Sequence, residues 1–385
     1  MEVSVETLVM GGSHWRLMVY GYMNGNLTPA WWGSLGLTPL WLAAHVYRGV
    51  VEARSASYTY GLRHRQQLPC RVISIGNLTL GGTGKTTLTI WMARWYQQHG
   101  WRVAVLSRGY GAHMTTPFCV VSAGAGPLLD WRAVGDEPYL LAGALPGVPV
   151  LIGKNRYQSG RYACDHFGTQ VVILDDGFQH YALQRDLDIV LLDASNPFGH
   201  GTLLPRGTLR EPWHALRRAN AIMLTRVEMA EQQLPTLCQQ LRRWRIHQPV
   251  YGMTMEAEAL CQGETCIPDG LTRLRQRRVV AFAGIGNPQA FASTLAQLGS
   301  DVVALLVFPD HHPYTAADWH TIVDLACQRQ AECLVTTEKD AVRLASAWQA
   351  PIPVYALRIG VRFVQGHATL QQQLQTLVQH AQTHT

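Results

Sequence analysis

Val72-Ile-Ser-Ile-Gly-Asn-Leu-Thr-Leu-Gly-Gly-Thr-Gly-Lys-Thr86 begins as a short strand-type run, breaks into a Gly-rich turn, and leads into a helical stretch ending near Gly100. Leu88, Trp91 and Trp95 recur on one face of that stretch, as a helix packed on a sheet requires. Strand, Gly-rich turn and helix in this order form a phosphate-binding loop. Gly81, Gly82 and Gly84 let the backbone curl so that its N–H groups converge on an anion, and the helix N-terminus adds partial positive charge. The cradle is read as Thr79, Leu80, Gly81, Gly82, Thr83, Gly84, Lys85 and Thr86, with Lys85 reaching the β- and γ-phosphates and the Thr86 hydroxyl facing Mg²⁺. Thr79 stands where the usual loop has its first Gly.

A sheet extends outward from this unit. Apolar runs at Arg102–Leu106, Val171–Leu174, Ile189–Leu192 and Ala221–Leu224, alternating with helical patterns, predict a parallel α/β sheet with helices on both faces. Val171-Val-Ile-Leu-Asp175-Asp176 reads as the acidic partner strand: one of Asp175 and Asp176 holds Mg²⁺, and the other orients a reacting group. Gly177-Phe-Gln179-His180 follows at the carboxyl end of that strand, where ligands of open α/β sheets bind. A polar stretch at Val227–Gln248 predicts a passage into a second, smaller α/β unit with strands at Val279–Ala283, Val302–Phe308, Leu334–Thr337 and Pro353–Leu357 and a terminal helix within Gln365–His384. The expected division is an extension at 1–27, an interfacial helix region at 28–69, a P-loop domain at 70–226 and a second domain at 227–385 closing over the site.

With 385 residues the chain can bury a core without staples, and 47% apolar content excludes disorder as its main state. Charged residues are sparse at 15%, while Trp and Tyr number 12 and 14, a balance that suits contact with something apolar. A net charge of +6 suits anionic lipid or a phosphorylated substrate but is too small to argue for nucleic acid, and nothing points to a protein partner. Eight cysteines without a C-x-x-C pair read as reduced thiols.

No Lys, Arg, Asp or Glu occurs between Arg16 and Arg48, yet Pro and Gly interrupt the window, so it offers no continuous span. Thr38 and Pro39 instead start a helix carrying Leu40, Trp41, Leu42, Val46, Tyr47, Val50 and Val51, preceded by Trp31 and Trp32. Arg48, Arg54, Arg63, His64, Arg65 and Arg71 form a basic collar behind it, which points to peripheral attachment on an anionic membrane.

Further polar segments end strands or loops: Ser107-Arg-Gly-Tyr-Gly111, Gly135-Asp136-Glu137-Pro138, Leu204 to Pro212 with Arg210 and Glu211, and Phe308-Pro-Asp310-His311-His312. Together with Gly76–Thr86, Asp175–Asp186, Phe198–Gly201, Ala283–Pro288 and Thr336–Val342, their order resembles the tetraacyldisaccharide 4′-kinase (lipid A 4′-kinase) family. Thr87, and Pro205-Arg-Gly-Thr208, depart from the family pattern, whereas Thr79 agrees with it.

The resemblance implies transfer of the ATP γ-phosphoryl group to the 4′-hydroxyl of a tetraacyldisaccharide 1-phosphate at the cytoplasmic face of the bacterial inner membrane, with the enzyme peripheral or monotopic. It implies a base pair of Asp136 and His311, completed on domain closure, with Lys85 and Asp176 also catalytic. Mg²⁺ falls to Thr86 with Asp175 or Glu211, and Gln179, Arg156 and Arg210 face the substrate, Arg156 at its 1-phosphate. A GTPase reading lacks its guanine-reading Asn-Lys-x-Asp, since Thr337-Glu-Lys339-Asp340 has Glu in place of Asn. A non-catalytic nucleotide sensor would have no use for Asp136 and His311.

Overall fold

A computed structural model describes residues 6–10, 38–110, 112, 114, 116–199, 201–263, 265–344 and 349–382. Among the described residues run fourteen strands: β1 (Thr7–Val9), β2 (Arg71–Asn77), β3 (Val103–Ser107), β4 (Phe118–Ser122), β5 (Val150–Gly153), β6 (Val171–Asp175), β7 (Leu187–Asp193), β8 (Ala221–Thr225), β9 (Val250–Gln262), β10 (Thr265–Ile267), β11 (Arg278–Ala283), β12 (Asp301–Val307), β13 (Cys333–Thr337) and β14 (Val354–Gln365). The α-helices are α1 (Thr38–Thr59), α2 (Lys85–Gln98), α3 (Trp131–Val134), α4 (Asp136–Ala144), α5 (Arg156–Phe167), α6 (Leu234–Arg243), α7 (Pro288–Gln297), α8 (Ala316–Gln328), α9 (Glu338–Ala341) and α10 (His367–Gln382).

The strands join in one sheet of order β1-β12-β11-β13-β14-β9-β8-β7-β2-β6-β3-β5-β4, with β10 paired to β9. Parallel pairing prevails in each half because helical crossovers return the chain to the same edge. The completely buried strands β3, β5, β6 and β8 are the continuous apolar runs such a sheet needs. α2 and α4 pack one face of the P-loop half, with Ile73, Leu88, Met92 and Leu141 in the core, and α5 covers part of the other beside Leu106 and Leu174.

The two halves are less separate than their composition predicts. β9 and β14 are long antiparallel partners that continue the sheet from one half to the other. α10 then returns to the P-loop half, burying Leu370, Leu374 and Val378 against its core, and Tyr96 donates its hydroxyl to the Leu374 carbonyl at 3.1 Å. The boundary expected at 226/227 is thus crossed again by the C-terminal helix. Residues 6–10 of the expected extension also have a place: β1 adds a parallel edge strand to β12, and Glu6 pairs with Arg329.

One reading is corrected outright. Cys261 and Cys266 face each other across the β9–β10 pairing and are joined as a disulfide, because strand register rather than sequence pattern brings them together. The other six cysteines are free.

α1 forms as its sequence predicts and has two distinct faces. Ala44, Tyr47, Val51, Ser55 and Tyr58 face the protein at helical spacing, with Tyr47 donating to the Arg210 carbonyl at 3.0 Å and Tyr58 stacked on Tyr181. Leu42, Val46 and Val50 form the opposite row and are about 60% exposed, with Trp41 beside them. Among the described residues no helix is long and apolar enough to cross a membrane. Trp31 and Trp32 lie outside the described residues.

Candidate active site

β2 delivers the Gly-rich turn to the carboxyl edge of the sheet, and α2 leaves it. Gly84 is the residue before the helix and has φ +85°, in the left-handed region that a side chain disfavours. No side chain caps α2, so the N–H groups of its first turn remain available to an anion. The turn is fixed from several sides: Asn77 Nδ2 donates to Thr83 Oγ1 at 2.9 Å, Leu80 N to the Thr208 carbonyl at 2.8 Å, and Arg226 Nη2 to the Gly82 carbonyl at 3.0 Å. Arg226 follows β8, pairs with Asp193, and was missed in the sequence; its signal is a cation at the carboxyl end of an apolar strand.

Asp175 ends β6, is completely buried, and accepts a hydrogen bond from Thr89 Oγ1 at 3.2 Å. Burial pushes its pKa up to about 7, with the charges of Glu137 and Asp176 acting in the same direction and Lys85 opposing them. Asp176 behaves differently. Arg210 Nη1 lies 2.8 and 3.0 Å from its two oxygens and Lys85 Nζ 3.7 Å away, and these cations hold its carboxyl below the ordinary range although burial works against them.

Among the described residues Asp175 has no cationic partner at hydrogen-bonding distance, and Thr86 adds a hydroxyl from the first turn of α2. An all-oxygen set with one or two protein ligands suits Mg²⁺, which completes its shell with phosphate and water. Among the described residues, no cluster of three or more His, Cys, Asp or Glu side chains that could hold a metal occurs.

Glu211, the other acid expected at the metal, has protein partners in this structure. Both its oxygens take the Arg218 guanidinium at 2.7 Å, and Tyr181 donates its hydroxyl at 2.5 Å. Arg218 is itself stacked on Phe178, with Cζ 3.8 Å from the ring centroid. Glu211 is therefore fully engaged within this structure, and Arg210 is likewise paired with Asp176. Gln179 donates to the Asn77 carbonyl at 2.9 Å and holds the end of β2.

Arg156 starts α5 and is 3% exposed, so it is no surface collector of a lipid phosphate. Burial lowers its pKa to about 10, against the support of Asp176 and Asp175. His180 is held neutral, lowered to about 3 by burial and by the surrounding Arg156, Arg185, Arg54 and Arg108.

The contact between the halves carries the remaining chemistry. Asp136 begins α4, and its Oδ2 lies 2.8 Å from His311 Nδ1 although 175 positions separate the two in sequence. Asp136 Oδ1 also accepts the Glu137 N–H at 2.9 Å. The His311 hydrogen bond holds Asp136 below its ordinary value despite burial, with Lys339 and Arg343 adding smaller effects, and the same bond raises His311. Both shifts favour the charged form of the pair, carboxylate beside imidazolium. The pair was expected only on closure; here the halves already meet at it. Lys339, at the start of α9, adds a second bridge to Glu137 at 2.8 Å.

Fold and site together define a P-loop protein of the phosphotransferase type, with a phosphate cradle, an acidic strand end and a base pair on one sheet edge. The chain belongs to the tetraacyldisaccharide-1-P 4′-kinase family, whose profile matches residues 37–379. It is 43% identical over 331 residues to the tetraacyldisaccharide 4′-kinase of Syntrophus aciditrophicus, covering 82% of this chain and 86% of that one. Against the enzyme of the same name from Anaeromyxobacter sp. strain Fw109-5 it is 43% identical over 355 residues, covering 89% and 94%. A crystal structure of Aquifex aeolicus LpxK in complex with ATP superposes with a TM-score of 0.70 at 31% identity, covering 90% of this chain and 98% of that one.

Proposed function

We propose that this chain transfers the γ-phosphoryl group of ATP to the 4′-hydroxyl of a tetraacyldisaccharide 1-phosphate, yielding lipid IVA in lipid A biosynthesis. The Asp136–His311 contact carries this reading, because Glu137, adjacent to Asp136, acts electrostatically on Asp175 of the phosphate site. Phosphoryl transfer asks mostly for positioning and charge neutralisation. The N–H groups of 81–86 and Lys85 bind the donor phosphates, while Leu80 N and Arg226 brace the loop through Thr208 and Gly82. Thr86 and Asp175 would hold Mg²⁺, which supplies neutralisation of phosphate charge when bound.

Asp136 accepts the proton of the attacking hydroxyl as the new O–P bond forms and the bond to the β,γ-bridging oxygen breaks. ADP leaves with that electron pair. His311 holds the carboxylate in orientation. Lys85 is shared between Asp176 and the incoming phosphates, so the acid keeps the ammonium in place. Arg54, Arg108 and Arg156, clustered about His180, supply positive potential for phosphate groups at this edge.

The exposed row of α1 suits the apolar boundary of an anionic bilayer, with exposed Arg48, Arg54, Arg63, His64 and Arg65 behind it. Arg71 is engaged with Asp186 and contributes less. This supports peripheral attachment at the cytoplasmic face of the inner membrane, where the lipid substrate is presented. The deciding experiment is transfer from γ-labelled ATP to tetraacyldisaccharide 1-phosphate in detergent micelles, with Asp136→Ala and Lys85→Ala alongside. Labelled lipid from the wild type only is the expected result; free phosphate without labelled lipid would refute the acceptor.

A further inference from the structure

Behind His311 lies a buried polar network that the transfer chemistry does not use. Asp340, in α9, is completely buried, and its carboxylate accepts from Gly284 N at 2.9 Å, Tyr314 Oη at 2.9 Å, Thr337 Oγ1 at 2.6 Å and Arg343 Nη2 at 2.7 Å. So many donors fix its orientation. Asp340 in turn fixes Arg343, which is 1% exposed and rarely found so deep without such a partner. From there the guanidinium spreads outward: Nη1 donates to the His312 carbonyl and Nη2 to the Gly284 carbonyl, both at 3.3 Å, and Nε lies 3.7 Å from Asp136 Oδ2.

Those contacts surround the base pair. His311 has φ +59°, an unfavourable backbone conformation for a residue with a side chain, and its N–H donates to the Gly284 carbonyl at 3.3 Å. Arg343 therefore holds the main chain after His311, the carbonyl that receives the His311 N–H, and the carboxylate that His311 touches. We propose that Arg343, oriented by Asp340, is a positioning residue that holds the loop of His311 in register with Asp136 and so fixes the dyad across the two halves. It touches neither donor nor acceptor. The significance of the dyad rests on the kinase reading, whereas the positioning itself is a property of the fold.

The charged and titratable groups facing His311 are Asp136 from α4, Lys339 from α9, Asp310 of its own loop and Tyr110 beyond β3. His312 is occupied by Asp318. Loss of the Arg343 contacts lets the loop drift from Asp136, so the His311 titration midpoint falls toward its ordinary value. A purely coulombic effect runs the other way, since removal of a nearby positive charge raises a histidine.

The test compares full-length wild type, Arg343→Met and Arg343→Lys by histidine NMR titration, thermal melting and lipid phosphorylation. For Arg343→Met we expect the His311 midpoint to fall by about half a pH unit or more. We also expect kcat to drop roughly 10- to 100-fold, as for a misplaced reacting group, with both KM values within about twofold. Arg343→Lys should restore part of both. A lowered melting temperature with unchanged His311 midpoint and kcat would assign Arg343 to stability alone and overturn the inference, as would a midpoint that rises. Should Arg343→Met fail to fold, Arg343→Lys decides: a lower midpoint with lower kcat supports positioning, and wild-type values of both refute it. A midpoint that falls in a protein whose wild type labels no lipid would uphold the positioning and reject the kinase reading.

Discussion

Replacement of Glu211 by Gln separates a packing role from a metal-binding one. Glu211 is 2% exposed, and its two 2.7 Å contacts to Arg218 form a bidentate pair closed over by Phe178 and Tyr181. Gln retains the shape but presents an amide N–H₂ to a guanidinium that also only donates, so the half-buried Arg218 loses its counter-charge. Breaking a buried pair in this one-sided way costs about 3–5 kcal/mol. With roughly 2 °C lost per kcal/mol in a protein of this size class, the melting temperature should fall by about 6–10 °C. Thermal melting monitored by circular dichroism reads this directly. Assays well below the transition should find the Mg²⁺ concentration for half-maximal activity within about twofold of wild type, because Thr86 and Asp175 are untouched. An unchanged melting temperature together with a tenfold or greater rise in the Mg²⁺ requirement would refute the reasoning and return Glu211 to the metal.

Asp136→Asn keeps the contact with His311 but removes the basic lone pair, so kcat should fall by about 10²–10⁴-fold while the protein still melts cooperatively. In the wild type, His311 holds the Asp136 carboxyl below its ordinary value, so the base remains ionised as pH falls until that lowered pKa is reached. A pH–rate profile whose acid-side loss tracks Asp136 above the usual carboxylate range would contradict this. Leu42→Ser with Val46→Ser removes two members of the exposed α1 row, and co-sedimentation with anionic vesicles should weaken by roughly tenfold or more at unchanged folding, from the ~1.5–3 kcal/mol carried by each buried aliphatic side chain; undiminished binding would sink the interfacial role. Thiol titration of denatured, unreduced protein should find six reactive groups of the eight cysteines, and eight would deny the Cys261–Cys266 link.

Much of the P-loop half was legible because its signals are local. A strand buried on both faces must be apolar throughout, so β2, β3, β6, β7 and β8 stood out within a residue or two of their bounds. β9 and β14 did not. One of their faces meets solvent, and Glu256, Glu258, Arg358 and Arg362 break the apolar run; Arg362 pairs with Glu256 across the two strands, a reason for those charges that appears only once the strands are side by side. β4, a partly exposed edge strand, and β5, the shorter strand beside it, were passed over.

At the site, the sequence by itself determined the chemistry that one continuous segment can encode: a turn that presents backbone N–H groups, a lysine and a threonine behind it, an apolar strand ending in two acids, and a helix with an apolar face left over. Tertiary structure decided which charge meets which. Asp175 and Asp176 are neighbours in sequence, yet Arg210 neutralises one while burial burdens the other, and Glu211, one residue after Arg210, turns to Arg218 instead. Asp136 and His311 meet because β9 and β14 carry the sheet from one half to the other and set the two edges opposite each other. Charge pairing depends on distances of a few ångströms, and residues far apart in sequence acquire such distances only when packing closes the chain on itself.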